Sequence, residues 1–296
     1  MTLEVLNKRI KTTTDLRDIV GTMKMLSSVS IGPYEKALKS LNAYGQTVKD
    51  AFVGLLKDDC FAYTPKAVKG LTPKTIAVIV GTDNGLVGRF NRDVLSFAKK
   101  DLQNKNIVPR SQVICIGKRV GMLAETSGLK ILKTYPIMNS LKEISTIASL
   151  ILSKINEVSA TDKVEQVFIY FTHKQAGKPQ KNINVQLMPL PYQELIKWRS
   201  EKWTGRTPPL ITADRMALFQ ALIREYLAVV LSGALTASLA AEHYTRMVNM
   251  QQAEKNIDAS LEEMNLTYQQ LRQTGITDEL IDIVSGAESL KKKRVA

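Results

Sequence analysis

The C-terminal part of the chain contains no proline from Thr212 to Leu290, and its apolar residues recur at helical spacing. One helix of that length would extend for roughly 115 Å at about 1.5 Å per residue. Such a helix is several times longer than a small domain is wide, so its own chain cannot bury it completely. The stretch therefore predicts that another helix and other proteins cover much of its surface.

Two parts of this stretch indicate how it is covered. Spacings of four and three, the seam of a coiled coil, are followed by Ile257, Leu261, Met264, Tyr268 and Leu271. Upstream, the residues from Ser232 to Ala241 are mostly small, and small side chains allow another backbone to approach closely. We expect a partner helix along the seam and close packing around the small residues.

The first segment, from Thr2 to about Lys57, has a helical pattern of its own. Its first apolar stripe is Leu3, Leu6, Ile10, Leu16, Ile19, Met23 and Leu26, and a second seam is Leu38, Leu41, Gly45, Val48, Phe52 and Leu55. Between them Gly32-Pro33 predicts an interruption with a kink, because proline lacks the backbone donor and its ring crowds the preceding turn. Since both ends of the chain carry seams, we expect the terminal helices to pair antiparallel.

The middle of the chain changes character after a proline-containing linker from Asp58 to Pro73. Strands are predicted at Thr75–Val80, Val113–Gly117, Val164–Thr172 and Ile183–Leu190, and helices at Arg92–Leu102 and Leu141–Val158. Alternating strands and helices predict a largely parallel sheet with right-handed crossovers. The last strand follows the Gly177-Lys178-Pro179 turn, so we expect it to run antiparallel to its predecessor.

Charge and composition narrow the class of protein. The 41 basic and 28 acidic residues give a net charge of +13, which implies an acidic partner: a nucleic acid, an anionic membrane surface or an acidic protein surface. Cys60 and Cys115 form no metal or disulfide pattern, which favours a reducing compartment. The segment from Leu227 to Ala241 is too short and too rich in Ser, Thr and Gly for a convincing membrane span, so a soluble or peripheral protein is expected.

The sequence offers little for catalysis. The loop from Gly81 to Arg89 follows the first strand, where a nucleotide-binding fold places its phosphate loop, but it lacks Gly-Lys-Ser/Thr at its end. A tight strand-to-helix turn is the favoured interpretation. His173 and His243 belong to no nucleophile or metal motif, and the basic run from Lys291 to Arg294 suits a solvated helix end. No cofactor, metal or catalytic residue is predicted.

Residues 276–289, ITDELIDIVSGAES, resemble the C-terminal signature of the γ subunit of F-type ATP synthases. Three further blocks agree with that family in the same order: Arg9 to Met25, Asp83 to Asn91, and Ala241 to Asn256. The resemblance implies a Rossmann-like α/β domain (74–192) inserted between two long terminal helices (1–58 and 210–290) that pair as an antiparallel coiled coil. It also implies a central-stalk rotor that is not itself an enzyme.

The implied partners are the α3β3 hexamer of F1, the ε subunit and the c-ring of Fo, with no nucleic acid. The implied location is peripheral, on the cytoplasmic face of a bacterial inner membrane. Residues implied to contact the α/β ring are Met23, Lys24, Arg246, Arg272, Gln273 and Thr277. A guanidinium suits such a role because it presents several donors in a fixed fork to carboxylates.

The chain departs from the family at several positions, notably Asn84 in place of a basic residue, Arg89 in place of glycine, and Pro33 within the first helix. The connector before the long helix has no cysteine pair, so the thiol switch of chloroplast members is not expected. Two other functions stay open: an α/β nucleotide-binding enzyme with a helical arm, and a basic coiled-coil protein that binds nucleic acid.

Overall fold

The computed structural model describes residues 2–57, 73–108, 111–138, 140–162, 164–174, 180–203, 205, 207 and 209–294, with side chains up to Ser285. The elements in chain order are α1 Leu3–Leu56, β1 Thr75–Val80, α2 Phe90–Asn104, β2 Ser111–Ile116, α3 Lys118–Thr126, β3 Lys130–Tyr135, α4 Leu141–Asp162, β4 Gln166–His173, β5 Lys181–Met188, α5 Tyr192–Ser200 and α6 Arg215–Arg294. The expected linker lies outside the described residues except for Pro73, and so does the turn at residues 177–179.

A five-stranded sheet has the order β3-β2-β1-β4-β5, with β5 antiparallel to β4 and the other neighbours parallel. The fold class, the four expected strands and the antiparallel last strand are confirmed. The sequence analysis missed β3, α3 and α5. Strand β3, KILKTY, lies at the sheet edge, and its two exposed lysines interrupt the apolar residues, so it lacks the continuous apolar run of the buried strands.

Both faces of the sheet are covered, which explains why β1 is apolar at nearly every position. Ile76, Val78 and Val80 face a core shared with α4 and the small-residue part of α6. Ala77 and Ile79 face a second core built with α2 and α3. Strands buried on both faces are typical of parallel sheets covered by helices.

Two compact units make up the chain: residues 28–245, and residues 1–27 together with 246–296. In the larger unit α1 and α6 run antiparallel, because Tyr44 donates to Glu225 at 2.7 Å while Tyr34, earlier in α1, stacks on His243, later in α6. The small residues expected to be closely packed are buried there, including Ala234, Ala237, Ser238, Ala240 and Ala241. Helix α6 also contains a window apolar enough, by composition, to cross a membrane.

In the smaller unit the seam of α1 differs from the predicted stripe. Leu16, Ile19 and Leu26 are exposed, whereas the half-buried or buried positions continue from Ile10 in steps of three and four. The half-buried or buried positions at this spacing are Thr13, Val20, Lys24 and Ser27. Arg17 fits the same spacing but is exposed. The stripe was wrong at Leu16, Ile19 and Leu26, but not at the half-buried Met23, because it followed hydrophobicity, whereas heptad spacing determines which side of a helix faces its partner.

Charged positions in this seam are paired across it. Arg17 forms an ion pair with Asp258, and Lys24 forms one with Glu254. These pairs show that α1 and α6 are antiparallel in this unit too, since the later residue of α1 contacts the earlier residue of α6. The α6 seam is as predicted, with Ile257, Leu261 and Met264 all at least half-buried.

Gly32-Pro33 does not end the helix, because α1 is helical from Leu3 to Leu56 with Pro33 inside it, and the kink expected there stays a prediction. Proline removes one hydrogen bond of the helix and leaves the remaining turns intact. Paired segments of α6 lie beside α1 on each side of the proline, within their own units. Since tertiary packing supplies most of a helix's stability in a protein, one missing bond is tolerated.

Candidate functional site

The loop after β1 places its carboxylate at the N-terminus of α3, the helix that follows β2. Asp83 accepts a hydrogen bond from the backbone N–H of Lys118, the first residue of α3, and another from the N–H of Ile137 at 3.0 Å. A helix N-terminus attracts an anion because its first N–H groups are unpaired and its dipole is positive there. Asp83 therefore occupies this anion position with a side chain of the protein itself.

The start of the same loop is too crowded for a ligand. A Cβ added to Gly81 would lie 2.5 Å from Asn91 Oδ1 and 2.6 Å from Val120 Cβ. Asn91 in turn closes the turn by accepting from the N–H of Thr82 at 2.8 Å and donating to its carbonyl at 3.1 Å. Gly81 is thus required for close packing of strand and helix, as the tight-turn interpretation holds.

A cavity of about 620 Å³ lies at the amino ends of the parallel strands, beside the first residues of β1, β2 and β3. Lys74, Lys130 and Asp162 line it, and Lys74 lies 4.0 Å from Asp162. The helices that follow the parallel strands end beside this cavity. The partial negative charge of their C-terminal carbonyls stabilises the positive charge of the lysines. The lysines are thereby accounted for without an anionic ligand.

Thiol or metal chemistry finds no support among the described residues. Burial raises the pKa of the Cys115 thiol to about 12, so the thiolate that reacts is disfavoured. No group of three or more His, Cys, Asp or Glu side chains that could hold a metal occurs in the part of the chain that the structure describes.

The loop after β1 instead grips α6. Asn84 Nδ2 donates to Glu242 Oε1 at 3.1 Å, and Glu242 is 1% exposed. Val87 and Phe90 pack against Ala241, one residue earlier in α6. Asp83 thus fixes the loop to the start of α3 and to the segment after β3, while Asn84, Val87 and Phe90 fix it to the long helix, which makes the loop a structural link within the larger unit.

The six residues implied to contact the α/β ring lie on the two long helices. Met23 is half-buried in α1, and Lys24 is paired with Glu254 of the same chain. Arg246 is 6% exposed. Arg272, Gln273 and Thr277 are exposed on α6, where Thr277 Oγ1 donates to the carbonyl of Gln273 at 2.9 Å. The last three are available to a partner.

Comparison with known proteins agrees with this architecture. Residues 2–290 match the family model described as ATP synthase. The chain belongs to the ATP synthase gamma family. It is 24% identical to the ATP synthase gamma chain of Staphylococcus saprophyticus, over 98% of this chain and 99% of that protein. It is 26% identical to the gamma chain of Geobacter metallireducens, again over 98% and 99%.

Solved structures show the same fold. The rotor of the Euglena gracilis mitochondrial ATP synthase matches with a TM-score of 0.65 and 15% identity, covering 93% of this chain and 99% of the other. A second structure of that enzyme, containing OSCP, F1 and c-ring, matches with a TM-score of 0.66 and 17% identity, over 100% and 96%. The family resemblance read from the sequence is therefore confirmed for this gamma chain.

Sequence reasoning missed the contacts that tie the gamma chain's sheet to its long helix. Asn84 was noted only as a departure from a basic residue, and Glu242 only as part of a motif. Gln180 was not noted at all, yet its Nε2 lies 2.6 Å from the carbonyl oxygen of Ala241. A buried glutamate in a small-residue helix was the available signal, because such a group needs a hydrogen-bond partner.

Proposed function

We propose that this gamma chain is the central-stalk rotor of an F-type ATP synthase. It couples ion flow through the c-ring of Fo to ATP synthesis or hydrolysis at the β subunits. It breaks no bond itself, since gamma is a non-catalytic subunit. Its partners are the α3β3 hexamer, the ε subunit and the c-ring.

The observation that carries this proposal is the antiparallel pairing of the two terminal helices. Two ion pairs join the helices in one compact unit, Arg17–Asp258 and Lys24–Glu254. In the other unit they are joined by the hydrogen bond from Tyr44 to Glu225. A paired shaft resists twisting better than a single helix, because each helix restrains its neighbour along the whole contact. The α/β domain inserted between the helices supplies a broad surface for contact with the c-ring side of the complex.

The chemistry of the loop after β1 supports a mechanical role over a nucleotide-binding one. Asp83 occupies the N-terminus of α3, a position that favours an anion. Bringing a phosphate there would place two anions together, which costs free energy at short range. The loop serves to hold the sheet against α6.

Contacts with the α/β ring are assigned in this proposal to Arg272, Gln273 and Thr277, which are exposed on α6. Lys24 is proposed to act mainly through Glu254, bracing the shaft, because its ammonium is already paired with that carboxylate. Met23 and Arg246 complete the set as residues at the helix pair. Part of the +13 charge then serves acidic groups of the partner subunits.

The gamma chain is a peripheral part of a membrane complex, as F1 subunits are. We further propose that the complex lies on the cytoplasmic face of a bacterial inner membrane. The bacterial gamma chains to which the chain is similar support that placement.

Co-purification tests the proposal. A tagged chain expressed in its own host should bring down α and β subunits at the stoichiometry of F1, and the purified chain alone should hydrolyse no ATP. ATP turnover by the isolated chain that is lost on Arg89→Ala would favour an α/β enzyme. Binding to DNA or RNA that weakens steeply with salt, with no α or β subunit recovered, would favour a nucleic-acid binder.

A further inference from the structure

Five consecutive residues of α6, from Ala241 to Thr245, are each held by another part of the chain. Val87 and Phe90 pack on Ala241, Asn84 donates to Glu242, and Tyr34 stacks on His243 with ring centroids 5.4 Å apart. The ammonium of Lys174 lies 4.7 Å from the ring centroid of Tyr244, and Gln180 donates to Thr245 at 2.7 Å. We refer to residues 241–245 as the collar.

The collar surrounds its helix. Successive residues of an α-helix point about 100° apart, so five in a row face every side. The groups that hold them come from α1, from the loop after β1, from the residue that follows β4, and from the residue that precedes β5. Contacts on all sides oppose rotation of the helix about its own axis, whereas contacts on one side oppose only its separation from the α/β domain.

Upstream of the collar, the contacts that hold α6 are apolar. Ala234, Ala237 and Ala240 are buried against the sheet and α4. Apolar contacts of this kind hold surfaces together without direction, whereas hydrogen bonds weaken steeply when their angles change. Resistance to twist is therefore concentrated in the polar contacts of the collar.

The position of the collar along the chain matters as well. Thr245 is the last residue of α6 in the larger compact unit, and the helix continues from there to Arg294. A load applied to the α/β domain can pass into α6 directly through the collar, or into α1 and from there across the ion pairs Arg17–Asp258 and Lys24–Glu254. The collar is the direct route, and it lies at the end of the part of α6 that belongs to the larger unit.

We infer that residues 241–245 form a torque joint, through which rotation of the α/β domain is transmitted to the long helix. Gln180 and Asn84 are the positioning residues that hold the joint. This inference rests on the proposed rotor function, and it adds to that function the place where torque enters the shaft.

A matched pair of threonines tests it in the intact ATP synthase. Thr245 Oγ1 donates to the carbonyl of Ala241 at 2.8 Å, and Thr236 Oγ1 donates to that of Ser232 at 2.7 Å, so both make the same bond within their helix. Thr245 alone of the two is also bonded to Gln180. Thr245→Val removes the bond to Gln180 together with the bond within the helix, while Thr236→Val removes only the bond within the helix.

The measurement is the ratio of ATP-driven ion pumping to ATP hydrolysis in reconstituted vesicles. We expect this ratio to fall by roughly twofold or more in Thr245→Val, a change typical of residues that modulate coupling between sites. It should be unchanged in Thr236→Val and restored in Thr245→Ser. The torsional stiffness of single rotors should fall in the same variant only.

Gln180→Ala removes the same contact from the other partner, so it provides a second test if Thr245→Val fails to assemble. Equal coupling ratios and equal stiffness in wild type, Gln180→Ala and Thr245→Val would overturn the joint while leaving the rotor in place. Failure of the wild-type chain to assemble with α and β subunits would overturn the rotor itself, and it would be seen before any variant is compared.

Discussion

Asp101 shows how one carboxylate joins three elements of the α/β domain. Its Oδ2 accepts from Tyr170 of β4 at 2.7 Å and from Asn184 of β5 at 2.8 Å, and it is paired with Lys105 just beyond α2. Burial acts to raise the pKa of Asp101, but the bonds from Lys105, Tyr170 and Asn184 outweigh it and lower the pKa below its ordinary value. The charged form therefore stabilises the fold.

Replacing this carboxylate should make stability depend less on acidity. Asp101→Asn should lower the free energy of unfolding at pH 7 by about 1–2 kcal/mol, because charged hydrogen bonds are lost. A depressed native pKa contributes stability above the unfolded value of about 3.9 and loses it as the pH falls through the native value. The difference between wild type and variant should therefore shrink below about pH 4, as measured by urea unfolding at several pH values.

Asp93 provides the control on the same helix, because it is half-exposed and is paired, among the described residues, with Arg89 alone, at 3.5 Å. Asp93→Asn should change the free energy of unfolding by no more than about 0.5 kcal/mol. If both variants lose the same stability with the same pH profile, the Asp101 cluster contributes nothing beyond an ordinary surface charge.

At the scale of the element, α1 shows that the register of a paired helix is set by spacing. Its seam in the smaller unit includes the charged residues Arg17 and Lys24, and Asp258 and Glu254 supply the opposite charges. The apolar residues Leu16, Ile19 and Leu26 lie outside the seam and are exposed. A search for apolar stripes cannot find such a seam, because the residues that identify it are on the other helix.

Glycines in α1 allow the packing of the pair to be tested. A Cβ at Gly32 would meet nothing within 4 Å, so Gly32→Ala should stabilise the chain by about 0.8–1 kcal/mol through helix propensity alone. A Cβ at Gly45 would lie 3.2 Å from Val229 Cγ1 across the helix pair. Gly45→Ala should therefore gain less or lose stability, and thermal melting of the full-length chain would compare the two. A larger gain at Gly45 than at Gly32 would contradict the close approach of α1 and α6.

At the scale of the whole molecule, most of the described side chains of α6 from Leu266 to Ser285 are exposed. Large apolar residues there are exposed, among them Leu266, Ile276, Leu280, Ile281, Ile283 and Val284. Exposed apolar surface on this scale is typical of an interaction site. It agrees with a shaft whose tip is enclosed by other subunits.

Arg272 tests that agreement in the assembled enzyme. Arg272→Ala should reduce coupled ATP synthesis or the yield of assembled F1, since removing one partner of an interfacial charge pair costs about 2–5 kcal/mol. Lys255, also exposed on α6 and outside the proposed contact set, is the matched control. Lys255→Ala should leave synthesis and assembly unchanged. Full coupled turnover in Arg272→Ala would remove this residue from the proposed interface.

The sequence by itself determined the elements whose signal is local. A proline-free run specified α6, continuous apolar runs specified β1, β2 and β4, and the ITDELIDIVSGAES segment specified the family. These features depend on neighbouring residues along the chain, so their period and composition are sufficient. Strand β3 was not among them, because its place at the sheet edge leaves its lysines exposed and interrupts the pattern.

Only the tertiary structure decided which side of α1 faces α6, that α1 continues through Pro33, and which groups hold the collar. Each depends on residues far apart in sequence: Lys24 and Glu254, Asn84 and Glu242, Gln180 and Thr245. A hydrogen bond or ion pair between distant residues cannot be inferred from the residues that neighbour either partner in the sequence. The length of α6 can therefore be predicted from its sequence. Its register against α1 and the contacts that hold it are determined only in the folded chain.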